Sequence, residues 1–262
     1  MSARHQPRKR FGQNFLHDQG TIDRIIRAIG AGGDDHIVEI GPGRGALTRQ
    51  LASCACQLTV IELDRDLVAE LQNEPALARA RIIAADALTV DLSSLAANQQ
   101  LRVVGNLPYN ISTPLIFHAL AHSACIKDMH FMLQKEVVKR MAATPGGRDY
   151  GRLSVMLQYR CQVESLFVVK PGAFFPAPKV NSALVRLSPY ETIKVAASDV
   201  SLFGRVVRAA FSQRRKTIAN SLKGLISSGQ MESISLDPGL RAERLSVADF
   251  VAISNRITES SP

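Results

Sequence analysis

Apolar and polar positions along this chain follow the pattern of buried strands that alternate with amphipathic helices. The isoleucines at positions 22, 25, 26 and 29 share one face of a predicted helix, and Ser112-Thr113-Pro114 is a start signal for another. Short apolar runs separated by helical segments are typical of an α/β protein with a mostly parallel sheet. The runs predict seven strands, at residues 36–40, 58–61, 81–85, 101–105, 129–133, 166–169 and 183–187.

The alternation of strands and helices does not extend over the whole chain. The Pro-rich segment 171–178 is too short for a helical crossover, so the two strands around it are expected to form an antiparallel pair at the sheet edge. From Asp199 the sequence becomes helical, with breaks at Gly229 and at 237–239. We therefore predict a basic, flexible tail at residues 1–10, an α/β domain at 11–190 and a small all-α domain at 197–262.

Four candidate ligand groups follow four successive predicted strands. The first strand leads into the glycine-rich turn Gly41-Pro42-Gly43-Arg44-Gly45, and Glu62, Asp86 and Asn106 end the next three. Open α/β sheets bind ligands at the carboxyl ends of their strands. Glu62 comes 21 residues after Gly41, where an acid can accept the ribose hydroxyls of a nucleoside cofactor. Each acid taken alone is better explained as a solvated strand end or a helix cap, but the joint spacing favours a ligand site.

The spacing of the glycines indicates which cofactor to expect. The turn reads Gly-x-Gly-x-Gly, whereas dinucleotide-binding folds carry Gly-x-Gly-x-x-Gly, and nothing else in the chain suggests a pyrophosphate. S-adenosylmethionine is a nucleoside that carries an amino-acid carboxylate in place of phosphates. It therefore fits this pattern better than NAD does.

The tetrad Asn106-Leu107-Pro108-Tyr109 can supply the parts of an amine-methylating site. The lone pair of an adenine amine is delocalised into the ring, so a catalyst must orient the amino group towards an electrophilic methyl. The Asn106 side-chain oxygen and the Leu107 carbonyl can each accept one N–H, since Pro108 biases Leu107 towards an extended backbone. Tyr109 offers a face on which an extruded base can stack. The alternative is an ordinary Asn-Pro turn after a strand.

With these motifs in view, the chain resembles the ribosomal RNA adenine dimethyltransferases, most closely the bacterial enzymes that act on the small ribosomal subunit. The resemblance extends over nearly the whole chain. The matching motifs are Phe11-Gly12-Gln13-Asn14-Phe15-Leu16, residues 39–48, residues 105–112, Leu133-Gln134-Lys135-Glu136-Val137, Gly151-Arg152-Leu153-Ser154-Val155 and residues 174–183.

The resemblance implies a Rossmann-like class I methyltransferase fold that uses S-adenosylmethionine, followed by the small helical domain. It implies a catalytic loop at residues 106–109 and Phe175 on the opposite side of the target base. The loop alone would equally suit the related erythromycin-resistance enzymes, which modify large-subunit RNA. The cofactor contacts that we expect are Asn14, Leu16, Gly41, Gly43, Glu62, Asp86 and Asn106.

The positive charge of the chain favours a nucleic-acid partner. The net charge is +9, and no acid occurs between Asp199 and Glu232. The basic residues in this interval lie on a stretch that reads as helical, with an apolar side that includes Val206 and Ile218. Such a segment is often only a solvated face, and a membrane surface is a weaker competitor because tryptophan is absent from the chain. We favour contact with an RNA backbone through Arg205, Arg208, Arg214, Arg215, Lys216 and Lys223.

Composition excludes several other classes of protein. The 262 residues are 46% apolar, enough for one substantial core plus a small appendage. The chain start lacks the apolar segment of a signal peptide, and the four cysteines lack Cys-x-x-Cys spacing, so we expect a reduced, cytoplasmic protein. His118 and His122 lie four apart without the glutamate of a zinc-protease helix, and we predict no metal site. We expect a monomer that does not bind membranes.

Together these observations predict an S-adenosylmethionine-dependent RNA adenine N6-dimethyltransferase. The resemblance implies that its substrate is two neighbouring adenosines near the 3′ end of 16S rRNA in the assembling small subunit. Two alternatives stay open. One is an RNA-binding scaffold that has kept the fold without the chemistry, and the other is a DNA adenine methyltransferase.

Overall fold

The computed structural model describes residues 13–54, 57–109, 111–213 and 215–260. The predicted tail at residues 1–10 lies outside these ranges, and so does Arg214. The chain divides into two compact units. One contains the residues up to Val138 together with Glu164–Pro189, and the other contains Lys139–Val163 together with Tyr190 onwards.

The described residues form nine strands and ten α-helices. The strands are β1 (Phe15–Leu16), β2 (His36–Ile40), β3 (Gln57–Glu62), β4 (Arg81–Ala84), β5 (Leu101–Asn106), β6 (Ile126–Gln134), β7 (Cys161–Val169), β8 (Phe174–Phe175) and β9 (Ser182–Pro189). The helices are α1 (Gln19–Ile29), α2 (Thr48–Cys54), α3 (Arg65–Gln72), α4 (Ser112–Ala121), α5 (Lys135–Met141), α6 (Arg152–Gln158), α7 (Val200–Ala210), α8 (Ile218–Ser221), α9 (Ser228–Glu232) and α10 (Val247–Glu259).

Seven strands form one sheet in the order β4-β3-β2-β5-β6-β9-β7. The five strands from β4 to β6 are parallel, and β9 runs antiparallel to β6. The predicted α/β fold, with a mostly parallel seven-stranded sheet and an antiparallel edge, is confirmed. Because β2 lies between β3 and β5, the strand order reverses at β2, and open sheets of this kind bind ligands at such a reversal.

Burial explains why these segments form their elements. All five residues of β2 are buried, as expected for a central parallel strand that is covered on both faces. In α1 the isoleucines at 22, 25 and 29 are buried, the Asp18 side chain accepts the Thr21 N–H at 2.8 Å, and Gly30 ends the helix with a φ of 59°. The apolar face, the N-cap and the glycine C-cap therefore act together to set the ends of this helix.

The second unit has its own core, built mainly from helices. Tyr159 packs against Phe203 with ring centroids 4.5 Å apart, and Tyr150 packs edge-on against Phe211 at 6.2 Å. Both tyrosines lie in residues 139–163, which we assigned from sequence to the first domain. The structure instead groups that segment with the C-terminal helices, because its aromatic and aliphatic side chains complete their core. None of the described helices is both long and apolar enough to span a membrane.

Gly105 in β5 lies close to β2 and leaves no room for a side chain. A Cβ at this position would lie 2.6 Å from the Ile40 carbonyl oxygen and 2.9 Å from a Leu107 side-chain carbon. We predict that Gly105→Ala lowers the free energy of unfolding by about 1–3 kcal/mol, because the backbone must shift to admit the methyl group.

Denaturant unfolding measures this change. Gly33→Ala is the matched control, since a Cβ there meets nothing within 4 Å, and this variant should unfold at nearly the wild-type midpoint. Equal midpoints for the two variants would show that the β2–β5 contact tolerates a side chain.

Candidate active site

A cavity of about 300 Å³ lies at the carboxyl ends of the parallel strands. The glycine-rich turn, Glu62, Asp86 and Asn106 all line it, although they are far apart in the chain. The parallel register of β4, β3, β2 and β5 explains this convergence, because it brings the four strand ends to one edge of the sheet. Gln13, Asn14, Phe15 and Leu16 also line the cavity.

The glycine-rich turn needs its glycines. Gly41, Gly43 and Gly45 have φ values of 66°, 57° and 75°, a region that other residues rarely adopt. A Cβ on Gly43 would also lie 2.9 Å from the Phe15 ring. The turn can therefore bring its backbone close both to β1 and to a ligand in the cavity.

Glu62 links the turn to β3. One carboxylate oxygen accepts the Gly43 N–H at 3.2 Å, and the other accepts the N–H groups of Leu63 and Asp64, each at 2.9 Å. Burial raises the pKa of Glu62, and these three N–H groups oppose the rise. A carboxylate offers about four lone-pair sites, so one remains. Acceptance of both ribose hydroxyls would thus require one backbone contact to move.

Asp86 has a structural partner as well as a place in the cavity. One of its side-chain oxygens accepts the Leu88 N–H at 3.0 Å and caps a short 3₁₀ turn. This contact fixes the orientation of the carboxylate at the end of β4. The sequence alternatives of helix cap and ligand group are therefore compatible for this residue.

Glu39 is a cavity residue that our sequence analysis did not single out. It is the fourth of the five residues of the buried strand β2, it is 2% exposed, and one of its carboxylate oxygens has no hydrogen-bond partner among the described residues. Burial, with a smaller contribution from nearby Glu62, raises the pKa of Glu39 to about 7. The available signal was an acid within an otherwise apolar run, directly before the glycine-rich turn.

Asn106 is held by the segment that precedes β1. Its side-chain nitrogen donates to the Asn14 carbonyl oxygen at 2.9 Å. With the nitrogen used in this way, the side-chain oxygen is the atom of Asn106 that is left to accept a ligand N–H, and Asn106 lines the cavity. The pairing of β1 with β8 places Phe15 opposite Phe175 and Leu16 opposite Phe174.

The rest of the tetrad is anchored on the neighbouring strands. Leu107 has a buried side chain, and its N–H donates to the Met132 carbonyl of β6 at 3.2 Å. The Pro108 carbonyl accepts the Ile111 N–H at 3.2 Å, which turns the chain towards α4. The Tyr109 hydroxyl lies 2.8 Å from the Ser182 hydroxyl of β9. All four tetrad residues line the cavity.

Phe175 differs from the other candidate residues. Its side chain is 60% exposed, and it is not one of the described residues that line the cavity. Its strand, β8, lies beside β1, which does line the cavity. An exposed ring beside a site that handles nucleobases is available for stacking, and its role stays a prediction.

From the sequence we expected the basic segment of the second unit to be one helical stretch, but the structure divides it into two helices. Helix α7 ends at Ala210 and α8 begins at Ile218, so Arg215 and Lys216 lie in the turn between them. The break arises because Thr217 caps α8 and the Ile218 N–H donates to the Leu240 carbonyl, a contact distant in sequence. The predicted RNA-binding residues that the structure describes are all exposed: Arg205, Arg208, Arg215, Lys216 and Lys223.

Comparison with known proteins gives the family. The model of the family described as "Ribosomal RNA adenine dimethylase" matches residues 4–259. The chain belongs to this family. A Pseudomonas putida relative named "Ribosomal RNA small subunit methyltransferase A" is 56% identical over 257 residues, covering 97% of this chain and 96% of the relative. A relative of the same name from Pseudomonas aeruginosa is also 56% identical, with the same coverage.

Two solved structures of related proteins confirm the fold. A dimethyladenosine transferase from Plasmodium falciparum superposes with a TM-score of 0.79 and 25% identity, covering 91% of this chain and 95% of that one. The 23S rRNA methyltransferase ErmE gives a TM-score of 0.74 and 26% identity, covering 94% of this chain and 100% of that one. The Rossmann-like class I methyltransferase fold is therefore confirmed for this dimethylase.

The buried Glu39 carboxyl predicts a pH dependence of stability. Its pKa in the folded protein, about 7, lies above the ordinary value of 4.5, so the folded state binds the proton more tightly than the unfolded state. This contribution to stability is complete below pH 4.5 and is lost as the pH rises through 7. Glu39→Gln removes it, so the variant should gain up to about 3 kcal/mol on the wild type between pH 4.5 and 8.

Urea unfolding of both proteins across this pH range measures the difference. The comparison cancels titrating groups that the two proteins share, including Asp18 and Asp91, whose pKa values are lowered by local hydrogen bonds. Stability curves that stay parallel from pH 4.5 to 8 would mean that the pKa of Glu39 is the same in the folded and the unfolded protein.

Proposed function

We propose that this protein transfers methyl groups from S-adenosylmethionine to the N6 amines of two neighbouring adenosines near the 3′ end of 16S rRNA. Each adenosine receives two methyl groups during maturation of the small ribosomal subunit. The observation that carries the proposal is the convergence of residues 106–109 with Glu62 and Asp86 on one cavity. The names of the 56% identical relatives support the small subunit as the source of the RNA.

The cavity residues fit S-adenosylmethionine. Glu62 keeps an acceptor position for a ribose hydroxyl, and Asp86 can accept from the adenine amine of the cofactor. The unpartnered Glu39 oxygen suits the ammonium group of the amino-acid part, because a buried carboxylate without a partner is stabilised by a nearby cation. Asn14, Leu16, Gly41 and Gly43 complete the proposed contacts. When bound, the cofactor supplies an electrophilic methyl group on a sulfonium centre.

The tetrad prepares the nucleophile. In the first transfer, the Asn106 side-chain oxygen and the Leu107 carbonyl accept the two N–H protons of the target amine, which turns its lone pair out of conjugation with the ring. In the second transfer the methylated amine has one N–H, and one of these acceptors holds it while the cavity accommodates the first methyl group. The Tyr109 ring stacks on the base and fixes its plane, and Phe175 covers the base from the other side. Orientation and fixed dipoles lower the barrier. A general base is not required, because the methylated ammonium is acidic enough to lose its proton to water.

The basic residues of the second unit contact the RNA backbone in this proposal. Among the described part of the chain, no salt bridge engages Arg205, Arg208, Arg215, Lys216 or Lys223, so their charges are available to phosphates. The target base must leave its stack to reach the cavity. Extrusion costs least from a loop or a single strand, which favours an RNA hairpin loop as substrate.

A second candidate activity is methylation of 23S rRNA, as in the structural neighbour ErmE. The fold and the tetrad suit both reactions. The relatives named for the small subunit are 56% identical to this chain, whereas ErmE is 26% identical, and this difference favours the small subunit.

Substrate challenge tests the proposal. Purified protein with labelled cofactor should methylate immature small-subunit particles, and should leave large-subunit RNA and duplex DNA unlabelled. Mass spectrometry of 16S rRNA from cells that lack the protein should show two unmodified adenosines near the 3′ end. Transfer to duplex DNA or to 23S rRNA alone would overturn the assignment.

We predict that Asn106→Ala reduces the single-turnover rate of methyl transfer by about 100-fold or more, the loss typical when one preorganised polar group is removed. Cofactor affinity, measured by calorimetry, should fall only modestly, because most of the proposed cofactor contacts lie on other strands. A near-wild-type rate in this variant would exclude the orientation mechanism.

We predict that reversing charge at Arg215 and Lys216 weakens RNA binding and reduces the slope of log affinity against log salt by about one to two units, since each lost phosphate contact releases one counterion fewer. Arg79→Glu is the control, because this exposed arginine precedes β4, at the edge of the sheet opposite the cavity. A salt slope equal to that of the control would assign Arg215 and Lys216 to the solvated surface.

A further inference from the structure

Ser182 is a buried polar residue to which neither the sequence motifs nor the proposed chemistry gives a role. It is the first residue of β9, it is 1% exposed, and its hydroxyl lies 2.8 Å from the hydroxyl of Tyr109. We propose that Ser182 is a positioning residue for base binding, and that it holds the Tyr109 ring in the orientation that stacks on the target base. This inference rests on the proposed function of residues 106–109.

Strand pairing fixes the position of the Ser182 backbone. In the β6–β9 ladder Ser182 lies opposite Gln134, and the adjacent Asn181 carbonyl accepts the Lys135 N–H at 2.9 Å. The backbone of Ser182 is thus fixed on both sides of the residue. Because Ser182 is buried and Tyr109 is partly buried, water competes less for the two hydroxyls, and the bond between them is stronger than it would be at the surface.

Tyr109 reaches Ser182 from the other side of β6. Tyr109 follows β5, which is separated from β9 by β6, so the loop crosses the carboxyl end of β6 to reach Ser182. Two inter-strand spacings amount to about 10 Å. The Leu107 N–H holds the start of the loop on β6, and the hydroxyl pair holds its far end on β9. The ring between these anchors is therefore fixed at both its backbone and its tip.

A fixed ring matters because stacking depends on orientation. A tyrosine that is held only at Cβ rotates about two side-chain bonds, and a base that binds must first immobilise it. The hydrogen bond to Ser182 restricts rotation of the Tyr109 ring when the protein folds, before a base binds. Asn106 is treated in the same way at the other end of the tetrad, where its side-chain nitrogen donates to the Asn14 carbonyl. Asn106 and Tyr109 are thus both held in place before the base arrives.

Three variants test the role of the hydroxyl pair. Ser182→Ala and Tyr109→Phe each remove one partner and keep the ring, and the double variant removes both. We expect each to reduce the single-turnover methylation rate at saturating RNA by about 2- to 10-fold, the range for one hydrogen bond. The double variant should be no slower than either single variant, because the same bond is lost in all three. Cofactor affinity should be unchanged.

Ser254→Ala is the matched control. Ser254 lies in α10 of the second unit, is 0% exposed, and its hydroxyl has no partner among the described residues. This variant also removes a buried hydroxyl, and it should keep the wild-type rate. Multiplied losses in the double variant, or a wild-type rate in Ser182→Ala, would refute the positioning role.

A measurement that does not depend on activity separates this inference from the proposed function. The chain has four tyrosines, so protein labelled with 3-fluorotyrosine should give four fluorine resonances, and Tyr109→Phe identifies the one from Tyr109. Ser182→Ala should shift and narrow that resonance and leave the other three in place. An unmoved resonance would refute the inference whatever the enzyme methylates. A wild-type protein that methylates no RNA would refute the proposed function alone.

Discussion

The parallel pairing of β2 with β3 on one side and with β5 on the other is the constraint on which this structure depends. It reverses the strand order at β2 and opens a cavity at the carboxyl end of the sheet. The absence of a side chain at Gly105 allows β5 to lie close to the Ile40 carbonyl of β2 at that end. Glu62 and Asn106 face the same cavity because their strands flank β2, and no property of either residue alone would bring them together.

The opposite end of the sheet is secured by a buried arginine. Arg102 in β5 donates to Asp128 and to Asp35, each with a shortest distance of 2.8 Å, and also to the carbonyls of Ile29 and Gly30. Asp128 and Asp35 have lowered pKa values in spite of their burial, because hydrogen bonds and the charge of Arg102 oppose the effect of desolvation. The network joins β5, β6, the start of β2 and the end of α1. Asn106, at the other end of β5, therefore begins its loop from a strand that is fixed in place.

Polar groups in the cavity differ in how completely the protein itself satisfies their hydrogen-bonding capacity. Glu62 accepts three backbone N–H groups, and these hold the glycine-rich turn against β3. Glu39 keeps an unpartnered oxygen and a raised pKa in the same cavity. A buried acid in this state destabilises the fold and favours a cationic ligand. The Glu39 carboxylate thus lowers the stability of the fold and can raise the affinity of the cavity for a cation.

The sequence by itself determined the seven strands of the main sheet, the glycine-rich turn and the acids at the strand ends, because each of these depends on local spacing that can be read along the chain, and its ordered motifs indicated the family. The short strands β1 and β8 were not predicted. Only the tertiary structure showed that residues 139–163 join the helical unit, that the basic segment breaks between Ala210 and Ile218, and that Phe175 is largely exposed. It also revealed the burial of Glu39 and the bond between Tyr109 and Ser182. These features depend on which distant side chains share a core or a strand end, and the periodicity of a single segment carries no information about its neighbours.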